Sequence, residues 1–348
     1  MSLTPEETAT GRSNFNEAVN ALRGGEGDML SRRDFIAASA VAAAVPTASL
    51  GTFYFGYSQV TDPVRVGVIG TGDEGGVLIS NISPEYLQVV AISDIRPYNQ
   101  WRAFHGDHSS PGALAARQGL MSVYGWKDEK EAKSNVKLYE DYKDLLKDPN
   151  IEAVIIAVPL VMHHQLAMDA LKAGKHVLTE KLMAKTIGQC KELAQTSKAE
   201  NLLLATGHQR HYSVLYDNAV HTIRNGLIGK IHHIRAQWHR GMRPGKDGWK
   251  PLLPAEALAE LNSQKVTLAA ATSASEIEAR EKRIFLLDKM AKDTVLEEMN
   301  LSEHGFDAFA GDKEFVGYSA VEELVRWRLW NRTGGGLMAE LGSHQLDA

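Results

Sequence analysis

The sequence predicts an α/β protein that opens on a doubly wound parallel sheet and carries a second domain behind it. Three observations predict this. Strand-length apolar runs alternate with helical segments between Pro63 and Arg210. The first run leads without a gap into a glycine-rich turn. And 348 residues exceed one ordinary core, so two domains plus a tail are expected.

Taken in order, Val64–Ile69 is a β-branched run of the kind a buried parallel strand requires. It enters Gly70-Thr71-Gly72-Asp73-Glu74-Gly75, a G-x-G-x-x-G turn set between a strand and an expected helix, Gly76–Ile82. Gly70 would permit the tight turn, Gly72 the close approach of a pyrophosphate, and Gly75 close packing of helix on strand. The helix N-terminus adds free N–H groups for phosphate. A second strand, Leu87–Ile92, ends at Asp94, 19 residues after Gly75. That spacing suits a carboxylate that binds the adenosine ribose hydroxyls. Arg96 stands two residues further and could pair with a 2′-phosphate, so the cofactor is NAD or NADP, with NAD favoured by Asp94. A helix ending near Asp148-Pro149, a strand at Ala153–Val158, a helix at His163–Ala173 closed by Gly174, a strand at His176–Thr179, a helix at Thr186–Glu200 and a strand at Leu202–Thr206 complete the repeat. The reading is a Rossmann domain over 63–210.

The first sixty residues read as a leader rather than fold. Ser31-Arg32-Arg33-Asp34-Phe35-Ile36 before the Ala-rich stretch 37–44 has the form of a twin-arginine export signal. Export by that machinery, to the periplasm or the outer face of the cytoplasmic membrane, is the expectation. Pro46 interrupts the apolar part, yet Leu50–Tyr57 contains Phe53, Tyr54 and Phe55, which leaves an uncleaved membrane anchor open.

Composition narrows the function. Apolar residues make up 44% and charged residues 23%, as in a soluble globular protein, and the net charge of −5 argues against a dedicated nucleic-acid binder. The single cysteine, Cys190, excludes an intrachain disulfide framework and a CxxC metal site, and is read as a buried helical residue. The pairs His105/His108, His163/His164, His208/His211 and His232/His233 lack an HExxH frame, so no metal is expected.

The segment Ala157-Val158-Pro159, His163 and Ala170-Leu171-Lys172-Ala173-Gly174-Lys175-His176-Val177-Leu178-Thr179-Glu180-Lys181 resembles the Gfo/Idh/MocA oxidoreductases. These act mainly on sugars, polyols and related hydroxy compounds. The resemblance covers about 63–240 and returns at 326–348. It implies cofactor contacts from Pro159, His163 and Glu180 and a catalytic Lys181. Where the family has Glu-Lys-Pro, this chain has Glu180-Lys181-Leu182, which removes a proline's constraint on the lysine. Gly207–Tyr212 resembles the crossing into the family's second domain and puts Arg210 among substrate contacts. Ile231–Trp238 is then the first strand of that domain, ending in His239-Arg240, two more such contacts.

By the same resemblance the second domain, 211–348, is α+β, with a large, open, mostly antiparallel sheet that the chain leaves unfinished at Ala348. Residues 242–325 diverge. Ser275–Met299 has one apolar stripe, Ile277, Ile284, Leu287, Met290, Val295 and Met299, and is read as an insertion packed on the second domain. Gly334-Gly335-Gly336 followed by Glu340, His344 and Asp347, at i, i+4 and i+7, resembles the catalytic helix. The family usually has Asp where Glu340 stands.

The function expected is hydride transfer between a nicotinamide and a sugar-like alcohol, in a homo-oligomer. His344 would take the hydroxyl proton, Lys181 would hold the same oxygen, and Glu340 and Asp347 would orient His344 or the substrate. Two alternatives stand beside it: an NAD-dependent glycosidase with transient redox, and a non-catalytic cofactor-binding protein.

Overall fold

Six short strands form one wholly parallel sheet: β1 (Val64–Ile69), β2 (Leu87–Ser93), β3 (Lys137–Tyr139), β4 (Ala153–Ile156), β5 (His176–Thr179) and β6 (Leu204–Thr206), in the order β3-β2-β1-β4-β5-β6. The order reverses between β1 and β4, which is the doubly wound arrangement expected. The computed structural model describes residues 62–237, 253–336 and 338–347. The twin-arginine segment, the candidate anchor, His239 and Arg240 lie outside them. Among the described residues no helix is long and apolar enough to cross a membrane.

The helices follow the crossovers. α1 (Asp73–Ser80) links β1 to β2, and α2 (Pro97–His105), α3 (Pro111–Ala116), α4 (Leu120–Tyr124) and α5 (Glu129–Asn135) link β2 to β3. α6 (Tyr142–Lys147), α7 (His163–Lys172) and α8 (Ile187–Ala199) make the remaining crossovers. α1 begins three residues before its expected start. Gly72 is its N-cap, and Asp73 and Glu74 occupy the first turn, where the helix dipole favours acids. α8 starts at a full capping box between Thr186 and Gln189.

The apolar runs bury as their patterns require. One face of the sheet packs Ile69, Val154, Ile156 and Val177 against Leu166, Ala167, Leu171 and Leu193. The other packs Val66, Val68, Val89 and Ile92 against Ile79, Phe104 and Leu120. Cys190 lies half-buried against the first of these clusters. The Gly174-Lys175 turn has a structural use: Lys175 Nζ donates to the carbonyls of Asp148 at 2.8 Å and Ile151 at 2.7 Å, and burial lowers its pKa.

Beyond β6 the structure departs from expectation. The open antiparallel sheet is not formed among the described residues. Residues 230–237 carry no strand and are exposed, because no described segment offers them a ladder, and a lone strand is not stable in water. α9 (Val214–Arg224) is likewise exposed, with no buried residue.

The inserted segment is helical but docks elsewhere than expected. α10 (Pro254–Leu268) and α11 (Ala274–Ala291) pair through Ala257, Leu261, Leu287 and Ala291. Of the predicted stripe, Leu287 is buried and Val295 is exposed. α11 rests on α2 of the nucleotide-binding half, with Phe285 edge-on to Trp101 at 5.8 Å. Further on, Leu296, Leu301, Phe306, Val321, Leu324 and Val325, with the last three on α12 (Ala320–Val325), pack against Ile95, Val161 and Met162. These three residues follow the C-terminal ends of β2 and β4. The inserted segment therefore covers the edge of the sheet where doubly wound proteins bind ligands. The described residues from Val64 onward belong to one compact unit.

Candidate active site

Strand register builds the site. Ile69 stands opposite Ser93 and Ile156, Ile156 opposite Thr179, and Thr179 opposite Thr206. The next residue of each strand therefore falls on one rim: Gly70, Asp94, Ala157, Glu180 and Gly207. Backbone bonds extend the ladder by one step, from Gly70 N to Ser93 O, Ala157 N to Ile69 O, Glu180 N to Ile156 O and Gly207 N to Thr179 O, all 2.8–2.9 Å.

A cavity of about 1030 Å³ runs along this rim, at the upper end of the volumes usual for ligand sites. Gly70, Gly72, Asp94, Arg96, Pro159 and Glu180 line one part, and Lys181, Arg328, Glu340 and His344 another.

The glycines differ in role. Gly70 holds φ at +87°, a left-handed conformation that favours glycine. A Cβ on Gly75 would overlap the Gly70 carbonyl oxygen. A Cβ on Gly72 would meet only Asn99 Nδ2, at 3.7 Å. Gly72 is thus small for something other than the protein's own packing, and the residues present fit a dinucleotide pyrophosphate.

Asp94 is held firmly. Its Oδ2 accepts from Thr71 N at 2.8 Å and Asn99 Nδ2 at 3.1 Å, and its Oδ1 accepts from Arg96 N at 2.8 Å. Burial pushes its pKa up, against these donors. The Thr71 hydroxyl also lies 3.4 Å from Oδ2, so the acceptor site left for a ribose hydroxyl is the second lone pair of Oδ1. Arg96 Nε donates to Asp293 Oδ2 at 2.9 Å. Glu180 is raised to about 7, by burial first and by the nearby Glu74 second.

His163 lines the same cavity, and its ring is tied to the backbone on both sides. It is fully buried, and its two ring nitrogens face the carbonyls of Leu182 at 2.6 Å and Val158 at 2.8 Å. Burial lowers its pKa while the carbonyls pull the other way. The ring serves as a brace between two loops of the rim.

Lys181 lies buried despite the loss of the family's proline. Its Nζ donates to the Glu340 backbone carbonyl and stands 3.7 Å from Glu340 Oε1. Burial lowers its pKa, with Glu340 and Glu180 opposing. Arg328 Nε donates to the same Glu340 oxygen at 2.9 Å.

The segment carrying Glu340 is not a regular α-helix. Met338–Gly342 forms a π-helical turn, and α14 (Ser343–Leu346) continues it after α13 (Asn331–Gly334). Such turns recur at functional sites.

Glu340 and Asp347 meet partners other than His344. Glu340 goes to Lys181 and Arg328. Asp347 Oδ2 stands 3.6 Å from His208 Nδ1 and 3.8 Å from His211 Nδ1, outside the cavity lining. The π-turn and the charges across the cavity, rather than i, i+4 spacing alone, decide these partners. His344 packs edge-on to His208, with centroids 6.2 Å apart. Its pKa falls to about 4, by burial first and then through Lys181, His208 and Arg210.

Arg210 does not line the cavity. Its guanidinium meets Gln345 and lies 5.8 Å from the Tyr216 ring centroid. Arg328 and Asp293 were missed in the sequence. Neither sits in a motif, and each is recognisable only by the partner that folding brings to it.

Residues 64–208 match the family described as "Oxidoreductase family, NAD-binding Rossmann fold", Gfo/Idh/MocA. Among similar curated proteins are an inositol 2-dehydrogenase/D-chiro-inositol 3-dehydrogenase from Lactiplantibacillus plantarum and a glycosyl hydrolase family 109 protein from Solibacter usitatus. The first is 30% identical over 169 residues, 48% of this chain and 41% of the relative. The second is 28% identical over 186 residues, 52% and 38% respectively. The chain spans less than half the length of the curated relatives it matches. A solved structure of a 3-ketoreductase from Actinomadura kijaniata with TDP-benzene and NADP aligns at 25% identity and a TM-score of 0.37, over 49% of this chain and 45% of that one.

Proposed function

We propose that this chain, whose residues 64–208 carry the nucleotide-binding domain of the Gfo/Idh/MocA oxidoreductases, oxidises a secondary alcohol of a sugar or polyol, or reduces the corresponding ketone, with NAD or NADP. One observation carries the reading. The glycine turn and Asp94 share a single cavity with Lys181, Glu340 and His344.

When bound, the nicotinamide supplies the hydride acceptor or donor. The chain's own residues supply the rest. The turn from Gly70 to Gly75 and the N-terminus of α1 receive the pyrophosphate. Lys181 Nζ hydrogen-bonds the substrate oxygen and stabilises the negative charge that develops there. With a pKa of about 4, His344 is neutral near pH 7 and takes the hydroxyl proton as hydride leaves the carbon. Glu340 and Arg328 are positioning residues: they hold Lys181 at the cavity wall.

The test is a purified chain offered NAD or NADP with a panel of inositols, hexoses and pentoses. Substrate-dependent appearance of reduced nicotinamide is expected. Folded protein that binds neither dinucleotide overturns the reading.

The similarity to a glycosyl hydrolase family 109 protein supports a second reading, glycoside cleavage with transient redox. Release of a chromogenic aglycone without change in added NAD would favour it. Export by the twin-arginine route is part of the proposal and rests on Arg32 and Arg33. A variant with both changed to Lys should stay inside the cell, and export by the same route would refute the assignment.

A further inference from the structure

Asp293 lies far from any motif, in the turn after α11, yet it is 1% exposed. An acid that is fully buried must be paired. Its Oδ1 accepts from Tyr98 N at 2.8 Å, and its Oδ2 accepts from Arg96 Nε at 2.9 Å. Both donors belong to the segment that follows Asp94, where the ribose end of a dinucleotide would sit. The inserted segment therefore delivers a carboxylate to Arg96 and Tyr98, which line the cofactor half of the cavity.

The surrounding charges are matched in the same manner. Arg102 pairs with Asp73 and Asp107, each at 2.9 Å, and Arg117 with Asp107 at 2.8 Å. With Asp94 and Asp293 included, four carboxylates face three guanidiniums here. A 2′-phosphate brings roughly −1.5 to −2 charge near neutral pH and needs an uncommitted cation. A ribose hydroxyl needs only an acceptor.

We propose that Asp293 is a specificity-determining positioning residue that neutralises Arg96, so that the site accepts the 2′-hydroxyl of NAD and disfavours the 2′-phosphate of NADP. The inference rests on the dinucleotide-binding reading above. Sequence alone left Asp94 and Arg96 pulling in opposite directions, and the inserted segment resolves that opposition in favour of NAD. Asp293 acts through Arg96 and need not touch the cofactor.

The experiment is equilibrium titration of the full chain with NAD and with NADP, followed by intrinsic fluorescence. NAD should bind more tightly to the wild type. Asp293→Asn retains the oxygen that accepts from Tyr98 N and removes the charge. It should shift the NADP-to-NAD affinity ratio toward NADP by about tenfold, a change of about 1.4 kcal/mol. Arg96→Gln leaves Asp293 uncompensated and should move the ratio the opposite way. The double variant should stay near the Arg96→Gln ratio, because Asp293 acts through Arg96, a dependence that a merely structural role for Asp293 would not produce.

If Asp293→Asn fails to fold, the Arg96→Gln titration still reads the same coupling. A wild type that prefers NADP, an unchanged ratio in the folded Asp293→Asn protein, or an equal shift in the Arg96→Gln background overturns the inference. A wild type that binds neither dinucleotide instead overturns the underlying reading.

Discussion

Lys181 and Arg328 converge on one oxygen, Glu340 Oε1, from 3.7 Å and 2.9 Å. A buried carboxylate shared by two cations tolerates loss of one better than a single pair would, because a counter-charge remains. This makes Lys181 open to substitution. Lys181→Met should leave Glu340 paired with Arg328, the fold intact and dinucleotide affinity nearly unchanged. Turnover should fall by about 10² or more, as for a lost acid–base or electrostatic group. Near-normal turnover beside an active wild type would remove Lys181 from the chemistry.

Arg328→Gln separates positioning from chemistry. It weakens the bond that anchors Glu340 and should cost about 1.5–3 kcal/mol of stability, the usual range for a hydrogen bond to a charged group. Urea denaturation measures that loss. The same variant should lower turnover less than Lys181→Met does, since Lys181 keeps its own contact with the Glu340 carbonyl.

His344 makes two pH predictions. Its folded pKa of about 4 lies below the unfolded value of about 6.5. The unfolded chain therefore binds more protons between these values, and His344 makes stability fall as pH drops from about 6.5 to about 4. His344→Asn should flatten that part of the stability curve. It should also remove the acidic limb, near pH 4, from the pH dependence of kcat/KM, where the neutral ring would be protonated. A limb that survives in His344→Asn would assign the proton transfer to another group.

Gly72 and Gly75 should fail in different ways. The Gly72→Val protein should fold, because a Cβ there meets only Asn99 Nδ2 at 3.7 Å, but should lose dinucleotide binding. Gly75→Ala should be destabilised whether or not cofactor is present, because its Cβ overlaps the Gly70 carbonyl oxygen. Thermal unfolding with and without NAD distinguishes the two. Cofactor binding by Gly72→Val would contradict the pyrophosphate assignment.

The nucleotide-binding half was legible in the sequence because its signals are local. Val64–Ile69 and His176–Thr179 were bounded correctly, since β-branched runs, a glycine turn and Gly174 all report on nearby backbone. Lys181, Glu340 and His344 were legible through motif resemblance and meet in one cavity. The partners were not legible. Glu340 was expected to orient His344 or the substrate, and its carboxylate meets Lys181 and Arg328, a choice that depends on charges brought from elsewhere in the chain. Asp293 pairs with Arg96 across 197 positions, and nothing in the spacing around Asp293 announces it. The strand expected at 231–238 is not formed at 231–237 for a related reason: a residue pattern specifies which face would be buried, while a strand also requires a neighbour.

The His163 ring bears on how force and proton charge travel along the rim. It links the carbonyl of Val158, after β4, to that of Leu182, beside Lys181. In the protonated ring both nitrogens donate and the two loops are cross-tied; in the neutral ring one of the two bonds is missing. A neutral imidazole carries one N–H and cannot satisfy two carbonyls at once. The tie is accordingly tighter with the proton on than off. Opening of the cleft at this point is therefore coupled to the tautomer and charge of a side chain that no solvent reaches.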